Sequence, residues 1–292
     1  MKEIHSIREL VEQANARHCP ISRIVIDNQS IQLKKTEEAL RQQMQDSLKV
    51  MWEAYQNGYQ EIKSPSGLSG GMAKKYQQSN ASGKLLSPLV KEAVTIALSI
   101  AEHNACMGRI VAAPTAGSCG ILPAVLFSVS NAFHLEPDKT LDALFHSAGV
   151  CMVIAKNASI SGAEGGCQAE CGSAAAAAAS AAVELMGGTP EMSANACAFA
   201  LKFVMGLVCD PVAGLVEVPC VKRNASGAVN ALTAAELALS GIESTIPADE
   251  VIEAMKNVGN MMPCALRETA QGGLAATKTA LELSERIYGR IL

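Results

Sequence analysis

Aromatic side chains are scarce in this 292-residue sequence, and its positive and negative charges nearly balance. Phe, Trp and Tyr make up 3% of the chain, and the formal net charge is -4. Proteins that bind nucleic acid use basic stripes and aromatic stacking platforms. We therefore expect no nucleic-acid partner.

Histidine is also scarce, and no Cys-x-x-Cys pair occurs in the sequence. Zinc sites are commonly built from histidine and closely spaced cysteines, and Ser-His-Asp triads need a histidine. The five histidines all lie outside the motifs that combine glycine with cysteine: His5, His18, His103, His134 and His146. Zinc sites built on histidine and histidine-based triads therefore have little support.

A long uninterrupted apolar segment is missing as well. The first ten residues carry charges where a signal peptide needs an apolar core. Residues 110–135 contain no Asp, Glu, Lys or Arg, but four helix-breaking residues interrupt them: Pro114, Gly117, Gly120 and Pro123. We expect a buried loop and helix there, no membrane span, and a cytoplasmic protein whose ten cysteines form no disulfide framework.

What is present is enough apolar sequence for a large core, since 49% of the residues are hydrophobic. This predicts one domain or at most two. Residues 1–60 are rich in charge and predict an amphipathic helical segment. Within them, apolar residues at helical spacing predict a helix over 36–57 that ends at Gly58. Residues 61–292 form the second predicted unit.

The second unit predicts buried helices and few strands, hence an all-α fold with Gly/Pro-rich loops. Residues 173–183 are almost pure alanine, which predicts a central helix with thin sides. Further helices are predicted to begin at Ser87-Pro88, Thr189-Pro190, Asn224 and Pro247, and the one from Asn224 to end near Gly241.

Three cysteines stand in rigid surroundings that a merely buried thiol does not need: Cys167, Cys209 and Cys220. Glycines precede the first, and prolines flank the other two. Thiolates bind soft metals such as iron-sulfur clusters or zinc, and three ligands leave one coordination position open. A set of buried thiols without metal fits the spacing equally well.

The surroundings of two of these cysteines allow finer predictions. Cys167 precedes the alanine helix, so we expect its sulfur at a helix N-terminus, where thiolate is favoured. Cys171 is interpreted as a buried filler. Asp210 is predicted to cap a turn that begins at Pro211.

Two Gly-rich loops, 66–75 and 113–120, could present N–H groups and hydroxyls to an anion. Lys74 or Lys75 could be a base, and Arg267 could hold a carboxylate with two bonds. Ordinary turns, a solvated lysine pair and a surface Arg267–Glu268 pair would explain the same residues.

Six segments together resemble the iron-sulfur L-serine dehydratases: 68–72, 113–124, 157–168, 209–214, 218–224 and 267–275. The sequence is similar to the separate alpha chain of the bacterial two-chain form. The resemblance implies an all-helical catalytic domain that deaminates L-serine to pyruvate and ammonia with a 4Fe-4S cluster. It assigns the cluster ligands to Cys167, Cys209 and Cys220.

The resemblance also suggests how serine would be bound. Its carboxylate and ammonium would be held by Ser69, Gly70, Gly71, Thr115 and Arg267. Lys74 is the candidate for the base that removes the α-proton, although a residue of a beta chain is at least as plausible.

Single-chain relatives in this family carry a regulatory beta domain before the catalytic domain, and a C-terminal cysteine can occupy the fourth iron. This sequence instead begins with a short helical segment and ends in Arg290-Ile-Leu292. We therefore expect a beta chain as partner in a hetero-oligomer, and no inhibition by a tail cysteine. Cys264 has no assigned role.

Two other functions remain open. A pyridoxal-phosphate-dependent lyase could deaminate serine, with Lys156 forming the Schiff base. The lack of βαβ alternation and the framed cysteines disfavour it. A helical scaffold or metal-storage chain for a partner would have no activity on serine.

Overall fold

The computed structural model describes residues 4–60, 62–81 and 83–289; the predicted C-terminal end at 290–292 lies outside them. Within these ranges the fold is all-α, as predicted, and no β-sheet is present. The helices in chain order are α1 (Ile7–Arg17), α2 (Ile21–Leu33), α3 (Glu37–Gly58), α4 (Met72–Gln78), α5 (Pro88–Ala105), α6 (Ile121–Ala132), α7 (Pro137–Asn157), α8 (Gly162–Gly165), α9 (Ser173–Leu185), α10 (Pro190–Phe203), α11 (Cys220–Leu239), α12 (Ala248–Met261) and α13 (Lys278–Tyr288).

Helix α9 is the centre of the molecule. Its residues are buried on every side except at Glu184. Helices α6, α7, α10 and α11 all pack against it. Alanine has no side chain beyond Cβ, so these neighbours approach its backbone closely at native packing density. The predicted central helix is confirmed.

Several predicted helix ends are also confirmed. Ser87 Oγ accepts a hydrogen bond from the Val90 N–H at 3.4 Å, and Pro88 is the first residue of α5. Thr189 Oγ1 accepts one from the Met192 N–H at 3.3 Å at the start of α10. Helix α3 ends at Gly58, and α12 follows Pro247.

The predicted start of α11 at Asn224 is wrong. The helix begins four residues earlier at Cys220, with Pro219 before it. Asn224 is buried and serves the neighbouring loop instead. Its side chain accepts a hydrogen bond from the Gly120 N–H at 2.9 Å and donates one to the Gly117 carbonyl at 2.7 Å. The predicted end near Gly241 is confirmed, since α11 ends at Leu239.

The N-terminal helices pack directly on the rest of the chain. Helix α1 contacts α10, α2 contacts α7, and α3 contacts α5. Ile7, Leu10 and Ile21 belong to the same hydrophobic core as the alanines of α9. Asp249 at the start of α12 accepts a hydrogen bond from the Ile7 N–H at 2.7 Å. The division into two domains at residue 60 stays a prediction.

Residues 110–135 form a loop followed by α6, as the breakers predicted. The first ten residues of α6 are buried in the core. None of the helices in the described ranges is both long enough and apolar enough to cross a membrane.

A buried polar contact joins α7 to α9. His146 Nδ1 lies 2.8 Å from Glu184 Oε2, and its Nε2 lies 2.7 Å from Ser180 Oγ. The His146 ring and Ser180 are both buried. This arrangement satisfies the polar groups of His146 and Ser180 within the core.

We predict that Ala177→Leu destabilises the protein by about 1–3 kcal/mol, because Ala177 is fully buried and added volume there forces α9 away from its neighbours. Urea unfolding followed by circular dichroism measures the change. Ala254→Leu, on an exposed position of α12, is the matched control and should change stability by less than about 0.5 kcal/mol. Equal stabilities of the two variants would contradict close packing around α9.

Candidate functional site

Cys167 lies just before the N-terminus of α9, as predicted. One π-helical turn, 168–172, links it to that helix, and π turns are frequent at functional sites. Gly166 before it has φ +77°, and a Cβ there would lie 2.8 Å from the Leu207 carbonyl oxygen. The buried Gln168 side chain donates to the carbonyls of Gly165 and Met255, at 2.9 and 3.1 Å. The Cys167 turn is therefore held from several directions.

Cys209 and Cys220 reach the same region from two other segments. The Cys209 N–H donates to the Leu266 carbonyl at 2.9 Å, and its own carbonyl accepts from the Glu268 N–H at 2.7 Å. Cys220 is the first residue of α11. Cys167, Cys209 and Cys220 are all buried, with exposures of 1%, 3% and 6%.

The three thiols lie near enough for the charge of one to affect the pKa of another. Burial is the main cause that raises the pKa of Cys209, and charge on Cys167 and Glu268 raises it further. Burial also raises the pKa of Cys220 to about 12, with added contributions from Cys167 and Glu170. The cysteines that the sequence singled out are thus brought together.

Arg223 places a cation beside these thiols. Its guanidinium donates to the Val208 carbonyl and to Asp210 Oδ1, both at 2.9 Å. Asp210 Oδ2 accepts from the Leu274 N–H at 2.7 Å. Both oxygens of Asp210 are therefore used, and the prediction that it caps the turn after Pro211 is wrong. Arg223 instead ties the helix of Cys220 to both neighbours of Cys209.

Cys171 lies beside Cys167. Interaction with the Cys171 thiol is the largest cause that lowers the pKa of Cys167; burial opposes it, and the Arg223 charge lowers the pKa further. The two sulfurs and a Glu170 carboxylate oxygen all lie within 4.8 Å of one another. The filler interpretation missed this proximity.

Thr115 lies on the other side of Glu170. Thr115 Oγ1 donates to Glu170 Oε1 at 2.6 Å and lies 2.9 Å from Ser118 Oγ. A Cβ on Gly117 would approach the same carboxylate oxygen to 2.5 Å. The 113–120 loop therefore packs against the cysteine site. Burial raises the pKa of Glu170, although the Thr115 hydrogen bond opposes this.

The first Gly-rich loop is joined to the Cys220 segment through Glu217. Ser64 Oγ and Ser66 Oγ donate to the two oxygens of this carboxylate, at 2.6 and 2.7 Å. Ser69 is buried, and its Oγ has no hydrogen-bond partner within the described part of the chain. Such a hydroxyl is available to a ligand.

The two glycines of this loop shape its backbone. Gly70 has φ +137°, and a Cβ there would lie 2.0 Å from the Ile62 carbonyl oxygen. Gly71 precedes α4, whose first N–H groups, of Met72 and Ala73, donate to the buried Glu102 carboxylate at 2.8 and 2.9 Å. The protein itself therefore caps this helix. Lys74 is half-buried on the same helix.

Arg267 and Glu268 point to different places. The Arg267 guanidinium donates to the Glu164 carbonyl at 3.4 Å and lines a cavity of about 290 Å³ together with Lys256 and Asn260. Beside Gly162, in contrast, a Cβ would lie 3.2 Å from Glu268 Oε2 and 2.8 Å from Cys209 Sγ. Glu268 therefore stands at the cysteines, and no cysteine lines the cavity of Arg267.

Sequence reasoning missed Glu170, Arg223 and Glu268. Glu170 follows Cys167 by three residues, and Arg223 follows Cys220 by the same spacing. Residues three apart in helical structure face the same side. This spacing could have indicated both residues.

Comparison with known proteins identifies the family of this chain. The family model described as serine dehydratase alpha chain matches residues 16–275. The chain is 52% identical over 288 residues to a probable L-serine dehydratase, alpha chain, of Bacillus subtilis, covering 98% of this chain and 96% of the relative. It is 43% identical to the L-serine dehydratase, alpha chain, of Peptoniphilus asaccharolyticus, covering 96% and 97%.

A longer relative is also similar. The L-serine dehydratase of Streptomyces coelicolor is 38% identical over 275 residues, which are 91% of this chain but 59% of that protein. The family match includes all three predicted cysteine ligands as well as Ser69, Thr115 and Arg267. With the family model matching most of its length, the chain belongs to the serine dehydratase alpha chains.

Proposed function

We propose that this chain deaminates L-serine to pyruvate and ammonia, and that Cys167, Cys209 and Cys220 hold a 4Fe-4S cluster for this reaction. One observation carries the proposal. Three thiols from three separate segments are buried near one another, and the Arg223 guanidinium acts on two of them, Cys167 and Cys220. The names of the relatives support the choice of serine as substrate.

The residues of this site fit such a cluster. Thiolates are its usual ligands, and buried thiolates need a compensating positive charge. Arg223 supplies that charge from a fixed position. Three cysteine ligands would leave one iron without a protein ligand. When bound, the cluster would supply a Lewis acid that assists departure of the serine hydroxyl.

The substrate's charged groups would be held by residues of this chain. The buried Ser69 hydroxyl is available to a ligand. Thr115 donates a hydrogen bond to Glu170, which lies beside Cys167. Gly70 and Gly71 give the loop of Ser69 its shape. Arg267 would hold the carboxylate from the neighbouring cavity, where its two donors can bind both oxygens.

A base must remove the α-proton of serine. Lys74 on α4 is the candidate within this chain, and a residue of a beta chain is the alternative. Loss of the α-proton and the β-hydroxyl removes one water and leaves aminoacrylate. Its imine tautomer then takes up water and releases ammonia, which leaves pyruvate.

We further propose that a beta chain completes the enzyme as a hetero-oligomer. The names of the two-chain relatives imply a second chain, since each is called an alpha chain. The longer Streptomyces relative matches this chain over only part of its length, as expected if it carries an additional region.

No observation favours the other two functions. Lys156 is exposed on the last turn of α7 and lines a cavity with residues of α1 and α2, away from the cysteine site. The described residues form no βαβ unit that would hold a pyridoxal phosphate. A scaffold without activity would release no pyruvate from serine in the presence of the beta chain.

We predict that Cys167→Ser, Cys209→Ser and Cys220→Ser each abolish cluster assembly and pyruvate formation, because a hydroxyl is a poor ligand for cluster iron. Iron and sulfide analysis after anaerobic reconstitution measures the outcome. Cys106→Ser, at a half-buried thiol outside the site, is the control and should keep full iron content. Full iron in any one of the three variants would remove that cysteine from the ligand set.

We also predict that Arg223→Met destabilises the fold by about 3–5 kcal/mol, because it leaves the buried Asp210 carboxylate without a positively charged partner. Arg223→Lys should destabilise the fold less than Arg223→Met, because it keeps the positive charge. It should still destabilise it, because lysine cannot bond Val208 and Asp210 at the same time as the guanidinium does. Urea unfolding and iron content are the measurements. Lys222→Met, at the exposed neighbour, controls for loss of charge. Equal stability of Arg223→Met and Lys222→Met would contradict the role given to Arg223.

A further inference from the structure

Cys167, Glu170 and Cys171 form a compact group on the π-helical turn before α9. One ligand atom from each, two sulfurs and a carboxylate oxygen, lies within 4.8 Å of the other two. Within the part of the chain that the structure describes, no other three His, Cys, Asp or Glu side chains come this close. Both thiols are buried, while Glu170 keeps partial exposure to solvent.

This spacing matches the ligands of a single metal ion. Two thiolates about 2.3 Å from a tetrahedral metal lie roughly 3.8 Å apart. The sulfurs of Cys167 and Cys171 lie within 4.8 Å of one another, which fits two ligands of the same ion. Thiolates bound to different irons of a cluster lie farther apart, because each iron is at a different corner. Cys171 therefore does not extend the cluster ligands proposed above.

The turn also provides outer contacts that metal ligands need. Thr115 Oγ1 donates to Glu170 Oε1 at 2.6 Å and fixes that carboxylate. Gln168, between the two cysteines, holds the turn through its bonds to Gly165 and Met255. Partners of this kind orient ligands and strengthen metal binding.

We infer that Cys167, Cys171 and Glu170 bind one thiophilic divalent metal ion, such as Fe²⁺ or Zn²⁺, when no cluster occupies the site. Two thiolates and a carboxylate supply three ligands, and water from the exposed side of Glu170 completes a tetrahedron. Cys167 would also be a cluster ligand, so this ion and the cluster exclude each other. The inference does not depend on serine being the substrate.

Co²⁺ is the probe for this site, since thiolate-bound Co²⁺ absorbs in the near ultraviolet and visible. The full-length chain, freed of metal under anaerobic conditions, is titrated with Co²⁺. We expect one ion per chain and a spectrum of two thiolates. Cys171→Ala should weaken binding about 100-fold and Thr115→Val about 10-fold, as expected for a ligand and for an outer partner.

Cys220→Ser is the matched control, because it removes a proposed cluster ligand and leaves the three-residue group intact. It should change the Co²⁺ dissociation constant by less than about 3-fold, and Cys171→Ala should still assemble the cluster if Cys171 is not one of its ligands. Circular dichroism and thermal unfolding of each variant confirm that it is folded. Loss of Co²⁺ binding in Cys220→Ser, or unchanged binding in Cys171→Ala, overturns the inference.

Discussion

Close packing of helices around α9 holds the fold and the cysteine site together. Its alanines occupy little volume, so four helices approach its backbone and bury it almost completely. The turn with Cys167 leads directly into this rigid helix. Because this helix is fixed, the Cys167 sulfur keeps its position. Cys209 and Cys220, from two distant segments, can then lie near it.

Charge is the second organising feature of the site. Buried thiols and the nearby carboxylates of Glu170 and Glu268 would all add negative charge when ionised. Arg223 opposes them, and it is itself held by a buried carboxylate, Asp210. Its bonds join the segment of Cys209 to the helix of Cys220, so one guanidinium connects two of the three cysteine segments and supplies positive charge to the site.

Local signals in the sequence predicted the fold well. Ser87 and Thr189 bond to backbone N–H groups three residues away, and the alanine run favours a helix by its own composition. The structure has a helix at each of these three places. The predictions for Asn224 and Asp210 are wrong, and both errors have one cause. Each looked like a helix cap, but its polar atoms bind a loop far away in the sequence. Local pattern cannot reveal such partners.

We propose that this chain deaminates serine at a cluster held by Cys167, Cys209 and Cys220. The most direct measurement is pyruvate formation from L-serine as iron and sulfide are added anaerobically to the chain together with its beta chain. We expect activity to rise in proportion to cluster content and to be absent without iron. Serine turnover that does not depend on iron, or a fully loaded complex that forms no pyruvate, would contradict it.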